Sequence, residues 1–256
     1  SRKCYQDLAA ACGNDFGFAQ HGMLMLPATA GGLAHECAAA ESARRLGIEA
    51  TVLTPAQARA LEPTLQLDVA GAVLYPLDAH LVPQRLVGML TQQLQLRGVQ
   101  FLWSTEANGW RTANGRIEAL RTSRGELTGD EYVLAAGSWS PRTLAGLRLR
   151  LPVEAGKGYS LTLPLPPVLP TRCAILTEAR VAVTPMDTAL RFAGTMQFAG
   201  LDTRIDPRRV QAMIDAKHPF VPFGGETENG FRKFCGAHAK DGLVCSSAGT
   251  GPAQVA

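Results

Sequence analysis

Residues 99–140 read VQFLWSTEANGWRTANGRIEALRTSRGELTGDEYVLAAGSWS, and their pattern decides the fold. Val99 to Trp103 is an apolar run of buried-strand length, and Tyr132 to Ala136 is a second, ending in Gly137. A short apolar run bounded by turn residues is the pattern of a strand covered on both faces. Three weaker strand signals lie between the two runs. Ala107 to Thr112 breaks at Ala113-Asn114-Gly115, Arg116 to Thr122 breaks at Ser123-Arg124-Gly125, and Leu127 remains of the third. The stretch is expected to fold as strand, three-stranded antiparallel meander, strand. A doubly wound sheet ordinarily joins its parallel strands through a helix, so a meander in that position is a specific topological feature.

Upstream, Pro83 opens a helix whose apolar face is Leu86, Val87, Leu90 and Leu94, and Gly98 stops it. Earlier still, Met23 to Leu26 is an apolar stretch broken by Gly31-Gly32, and a helix is expected from Leu33 to Leu46 with Gly47 closing it. Thr54-Pro55-Ala56-Gln57 is a capping box with proline at the first helical position, opening a helix that ends near Glu62-Pro63. Val69 to Tyr75 reads as a strand. Downstream of Pro141 the chain becomes strand-rich: Gly158 to Leu163, Ala174 to Leu176, Ala179 to Pro185 and Leu190 to Met196. Asp206-Pro207 then caps a helix from Arg208 to Ala216. The fold class is α/β (α+β), with a partial Rossmann-like portion crossed by a β-meander and a mainly antiparallel β portion.

The totals bound the function. At 256 residues with a net charge of +3, the chain can bury a core, and its scattered basic residues make no nucleic-acid stripe. No apolar run reaches the ~18 residues of a membrane span, and the opening SRKCYQDLAA lacks the pattern of a signal peptide. The six cysteines show no paired spacing, so free thiols in a reducing compartment are expected.

The run Tyr132-Val133-Leu134-Ala135-Ala136-Gly137-Ser138-Trp139-Ser140 resembles the second flavin-contacting strand of the D-amino acid oxidase and glycine oxidase superfamily, in which a meander also precedes it. Asp78-Ala79-His80-Leu81-Val82-Pro83 is similar to that family's turn into the helix. Gly156-Lys157-Gly158-Tyr159-Ser160-Leu161-Thr162, Glu178 to Met186, Phe192-Ala193-Gly194-Thr195-Met196 and Asp206-Pro207-Arg208-Arg209 resemble its D-amino acid dehydrogenase branch. The likeness is continuous from about Tyr5 to Pro222.

The resemblance implies FAD as cofactor and a small amino acid as substrate. It implies that residues 1–77 and 147–222 form a substrate domain, residues 78–146 a portion of the FAD-binding domain, and residues 223–256 a divergent tail. Ala135, Ala136, Gly137, Trp139 and His80 would lie along the flavin side, and the backbone at Glu106 and Ala107 would meet the adenine end. Glycine at such a turn lets a backbone approach a cofactor closely. Tyr159, Thr195 and Met196 would line the substrate side. Each of these has an ordinary alternative: Gly137 as a plain strand end, His80 as a residue of its turn, Tyr159 as a strand aromatic, Thr195 and Met196 as a sheet edge.

No G-x-G-x-x-G turn occurs. Gly249-Thr250-Gly251 has Gln254 at the third position, and Gly156-Lys157-Gly158 lacks the spacing. The family carries this fingerprint at its extreme N-terminus, and the chain is expected to begin beyond it. From Phe223 onward neither the family's substrate-carboxylate arginine segment nor its glycine-histidine turn is recognisable, and a shifted reading frame is one hypothesis for that tail. Cys235, His238, Asp241 and Cys245 contain a Cys-x2-His half-site without a matching half, which argues against metal.

The expected activity is FAD-dependent oxidative deamination of a D-amino acid to a 2-oxo acid. By the same resemblance, electrons pass to a quinone or respiratory chain, in a cytoplasmic protein that associates with the inner membrane at its surface. The alternative is a non-catalytic remnant or binding domain of such an enzyme. No acid–base dyad is expected, because hydride abstraction by flavin needs mainly an oriented substrate with a neutral amine.

Overall fold

The computed structural model describes residues 1–166, 168–215 and 220–221. These residues divide into two compact units. The first comprises residues 1–90, 159–195, 206–215 and 220–221; the second comprises residues 91–158 and 196–205.

The first unit is built on a mixed sheet. Its strands are β1 (Met23–Leu26), β2 (Thr51–Leu53), β4 (Ala72–Tyr75), β8 (Gly156–Pro164), β9 (Cys173–Leu176), β10 (Val181–Met186) and β11 (Ala189–Phe198), with β3 (Gln66–Leu67) outside it. The order is β2-β4-β1-β9-β10-β11-β8. β1 pairs β9 in parallel and β4 antiparallel, while β9–β10 and β10–β11 are antiparallel. Strict alternation along β10 buries Val181, Val183 and Pro185 on one face. Val181 and Val183 join Leu24, Leu26, Tyr159, Leu161, Leu163, Leu176 and Phe192 in the main core.

Helices are interspersed with these strands along the chain. α2 (Ala30–Arg45) starts at Thr29, whose hydroxyl accepts from the Gly32 amide. Gly31-Gly32 therefore does not break the chain. Both glycines lie in the first turn, and at Gly32 Glu178 crowds so closely that a Cβ would run into its carboxylate. Gly47 closes the helix with φ +77°. The capping box of α3 (Pro55–Leu61) forms as the sequence predicts, with Thr54 and Gln57 bonded reciprocally. α4 (Pro83–Leu96) and α6 (Pro207–Asp215) also start at their expected prolines.

The second unit holds the meander. β5 (Ala107–Ala113), β6 (Arg116–Thr122) and β7 (Gly125–Leu127) pair in sequence order. Asn114 and Gly115 take φ 51° and 75° at the first hairpin, as an Asn-Gly turn requires. Arg111 pairs with Glu118 and Glu126 across the strands.

Two expected strands are absent. Val99 to Trp103 pairs with no described strand; Val99 and Trp103 are 41% and 53% exposed, and the Phe101 and Trp103 rings stack on each other instead. Tyr132 to Ala136 is likewise unpaired, and Val133 is 91% exposed. The reason is physical: a doubly apolar strand gains its stability from ladder neighbours and a covering layer, and no described segment provides either. Tyr132 is tied down by its side chain. It packs edge-on against Trp110 at 5.6 Å and donates from its hydroxyl to the Glu118 carbonyl at 3.1 Å. The described cysteines Cys4, Cys12, Cys37 and Cys173 are free thiols.

Candidate functional site

In the first unit, the turn Asp78 to Val82 lies along residues 16–22. His80 and Ala19 exchange backbone hydrogen bonds of 2.9 Å, and the Val82 amide donates to Phe16 at 3.0 Å. The His80 ring lies 6.5 Å from the His21 ring. Burial, reinforced by His21, lowers its pKa and keeps the imidazole neutral. Its Nδ1 is sealed from solvent and has no hydrogen-bond partner among the described residues. Nearby, the half-buried Cys173 thiol donates to the Gly22 carbonyl, and desolvation, then Asp78, raises its pKa, which marks an unreactive thiol.

Tyr159 is 2% exposed and belongs to the core. The Arg209 guanidinium sits 5.8 Å from the centre of its ring. The same guanidinium donates from Nη1 to the Thr195 hydroxyl at 3.3 Å. Tyr159 and Thr195 thus meet around Arg209, a residue to which the sequence reading gave no role. A signal was available: two arginines occupy the first turn of α6, where the helix dipole disfavours cations.

In the second unit, the Glu106 amide donates to the Ser123 hydroxyl at 3.0 Å and its carbonyl accepts from the Ser123 amide at 2.9 Å. Ala107 follows as the first residue of β5 and pairs with Thr122. Ala135 and Ala136 lead into a short 3-10 turn, Gly137–Trp139, closed by the Trp139 amide on the Ala136 carbonyl at 3.0 Å. Gly137 has φ +51°, and a Cβ there would meet nothing within 4 Å. Met196 is 62% exposed, with its sulfur lying against Gly156. Ala135, Ala136, Gly137 and Trp139 are contiguous in one turn, whereas Glu106 and Ala107 sit at the start of the meander.

Two positions, one in each unit and each taken by itself, have features that suit a nucleotide cofactor. Gly137 offers open backbone in a left-handed conformation, and His80 offers a buried, unsatisfied ring nitrogen. At Glu106 both backbone groups are already engaged by Ser123, which leaves Ala107 as the backbone of that pair without a contact of this kind to Ser123. Among the described residues no group of three or more His, Cys, Asp or Glu side chains could hold a metal, and no helix is long and apolar enough to cross a membrane. The cysteine–histidine half-site and the tail from Phe223 lie outside the described residues.

Comparison with known proteins agrees with this architecture. The family described as "DAO: FAD dependent oxidoreductase" matches residues 1–245, further than the resemblance from about Tyr5 to Pro222. A D-amino acid dehydrogenase of Paramagnetospirillum magneticum is 31% identical over 231 residues, covering 88% of this chain and 55% of the relative. A D-amino acid dehydrogenase of Granulibacter bethesdensis is 30% identical over 235 residues with the same coverage. The chain thus spans about half the length of the curated relatives it matches. Among solved structures, glycine oxidase from Bacillus cereus superposes with a TM-score of 0.77 at 22% identity, over 86% of this chain and 62% of that one. L-proline dehydrogenase from P. horikoshii gives 0.68 at 18% identity, over 83% and 58%. With a mixed sheet, a meander in the second unit and a family match across most of its length, the chain belongs to the DAO family of FAD-dependent oxidoreductases.

Proposed function

We propose that this chain is the substrate-side portion of an FAD-dependent D-amino acid dehydrogenase. The observation that carries the reading is the identity of 31% and 30% with two D-amino acid dehydrogenases over 88% of the chain. Residues 1–77 and 147–222 are assigned to the substrate domain, residues 78–146 to the cofactor-binding portion, and residues 223–256 to a tail. Tyr159, Thr195 and Met196 are assigned to the substrate side. The turn at Ala135, Ala136, Gly137 and Trp139, with His80, is assigned to the flavin side, and the backbone at Glu106 and Ala107 to the adenine end.

The reaction removes two electrons and two protons from the amino acid, and water converts the resulting imino acid to a 2-oxo acid and ammonia. FAD, when bound, supplies the two-electron acceptor. The protein's part is to fix the carboxylate and to exclude competing geometries. A quinone or respiratory-chain component is the assigned final acceptor, reached by a cytoplasmic protein at the surface of the inner membrane.

The test is spectroscopic. The purified full chain is mixed with FAD, freed of excess, and treated anaerobically with D- and L-amino acids. A retained flavin band that bleaches with D-isomers and returns on adding a soluble quinone supports the reading. Bleaching by L-isomers refutes the stereochemical assignment. A colourless protein favours the non-catalytic binding domain instead.

A further inference from the structure

We propose that Arg209 and Thr195, lying over Tyr159, form a carboxylate-binding subsite in the first unit. Three features of the cluster support this.

Among the described residues the cation is held in place without a counter-ion. Other arginines of the chain, such as Arg44, Arg85, Arg111, Arg172 and Arg204, lie beside carboxylates. Arg209 lies beside none among the described residues. The nearest carboxylate in sequence, Asp206, is spent on capping α6, where it accepts from the Arg208 amide at 2.9 Å. The Arg209 guanidinium therefore makes one hydrogen bond, the 3.3 Å donation to Thr195, and one ring contact among the described residues. A guanidinium carries five N–H donors, and its other nitrogens are not sealed from solvent, because none of them is a buried atom lacking a partner.

The position of the cation is fixed. Val210 and Met213, one and four residues further along α6, are 8% and 5% exposed in the core. Met213 lies directly over Gly194, where a Cβ would come within 3.0 Å of its Cγ. That contact pins α6 above β11 one residue before Thr195. An arginine so anchored loses little entropy when an anion arrives.

The chemistry of the neighbours selects the ligand. The Thr195 hydroxyl accepts from Arg209, and its own proton has no acceptor among the described residues. It can donate to the same anion that the guanidinium holds. The Tyr159 ring covers one side and excludes water. Two convergent donors, one of them charged, on an apolar floor match a carboxylate. The inference rests on the amino-acid substrate proposed above. The carboxylate is either the one on Cα or one on an acidic side chain, and the two differ in experiment.

Binding is measured calorimetrically on the purified full chain without flavin, in phosphate-free buffer, with D-lactate and D-malate as probes. Arg209→Gln is expected to weaken binding by roughly tenfold or more, the loss expected for a charge-assisted hydrogen bond. Thr195→Val is expected to weaken it several-fold, and Arg209→Lys to retain part of it. Arg208→Gln removes the same charge one residue away and is expected to change nothing. Equal losses for both probes place the α-carboxylate in the subsite, and loss confined to the excess affinity for D-malate places a side-chain carboxylate there. Unchanged binding of both probes in Arg209→Gln and Thr195→Val overturns the proposal, as does an equal effect of Arg208→Gln. Circular dichroism of each variant separates a binding defect from misfolding, with Thr195→Val deciding if Arg209→Gln does not fold. The readout involves no flavin, so it survives if the dehydrogenase reading fails, and it can fail while that reading stands.

Discussion

Glu62 is a buried charge whose removal should damage the first unit measurably. It caps the C-terminus of α3, is 2% exposed, and takes three donors from a segment more than a hundred residues away. The Thr171 amide donates at 3.0 Å, the Thr171 hydroxyl at 2.6 Å, and Arg172 Nη1 at 3.2 Å. These residues lead directly into β9, which pairs with both β1 and β10 in the middle of the sheet. Breaking a buried ion pair by removing one partner costs about 3–5 kcal/mol, because a charge is left uncompensated. Here the lower end applies. The Arg172 side chain is 23% exposed, and Nη1 keeps the Leu61 carbonyl at 2.9 Å. Glu62→Ala is thus expected to cost about 3 kcal/mol, a fall in Tm of roughly 6–12 °C for a chain of this size. Glu62→Gln retains the shape and is expected to cost about 2 kcal/mol. The variant with Arg172→Met added should cost less than the sum of the singles by about 1–2 kcal/mol. The assay is urea and thermal unfolding followed by far-UV circular dichroism. Trp103, Trp110 and Trp139 all lie in the second unit, so tryptophan fluorescence is a separate readout for that unit. A cost below 1 kcal/mol for Glu62→Ala, or strict additivity in the double variant, would refute the reasoning.

Glu178 accepts from the Ala28 amide at 3.0 Å and from the Thr29 amide and hydroxyl at 3.1 and 2.9 Å. Desolvation pushes its carboxyl up, but these hydrogen bonds together outweigh that and hold the pKa below 4.5. The stability it contributes is present above the unfolded pKa and is lost as pH falls through the folded one. The site is exposed to solvent, so Glu178→Gln is expected to cost only about 1 kcal/mol at neutral pH and to flatten the acid limb of a stability–pH curve. For His80 the sign reverses its origin: burial lowers the folded pKa below 6.5, so the unfolded chain binds the extra proton and stability falls as pH drops from that value. His80→Asn should remove this component from pH-dependent melts; a curve identical to wild type would show that His80 carries no such linkage. At Gly137, φ +51° makes any β-branched side chain strained by roughly 1–2 kcal/mol, although space is open. Gly137→Val should lower stability by about that amount and abolish retention of FAD in a fluorescence titration; retention equal to wild type would remove the turn from the cofactor site.

What the sequence made legible was what short-range chemistry encodes. Thr54 and Gln57 are three residues apart, with a proline between them, so the start of α3 could be read without knowing what α3 packs on. Asn114-Gly115 specified its hairpin for the same reason, since both residues tolerate positive φ. The meander followed from two such turns. Gly31-Gly32 reads as a break in the chain, whereas Gly32 answers a contact with Glu178, which is distant in sequence. At Tyr159 the sequence shows a strand aromatic, but its packing against α6, nearly fifty residues later, comes only from the fold. Arg209 went unassigned for the same reason: only the fold brings it to Thr195 and Tyr159.

The two missing strands locate the limit of such reading. Apolar pattern reports the burial a segment is suited to, and burial is supplied by neighbours. In the first unit nineteen residues form one continuous buried cluster, and each expected strand there pairs. In the second unit Ala119 is the only buried apolar side chain among the described residues, while Leu96, Trp103, Val133 and Leu149 are all more than half exposed. At about 25 cal/mol per Å2, such side chains contribute to stability only when something covers them. The meander nevertheless forms, because its ladder hydrogen bonds and the Arg111–Glu118–Glu126 pairing are satisfied within it. Val99 to Trp103 and Tyr132 to Ala136 have no such internal source of order. Their sequences are those of central strands, and their conformation is set by the few contacts within reach, the Phe101–Trp103 stack and the Tyr132 hydroxyl. The same residues would become strands wherever a ladder partner and a covering layer were brought to them, and the turn at Gly137 would then stand at a strand's carboxyl end, where open α/β sheets bind their ligands.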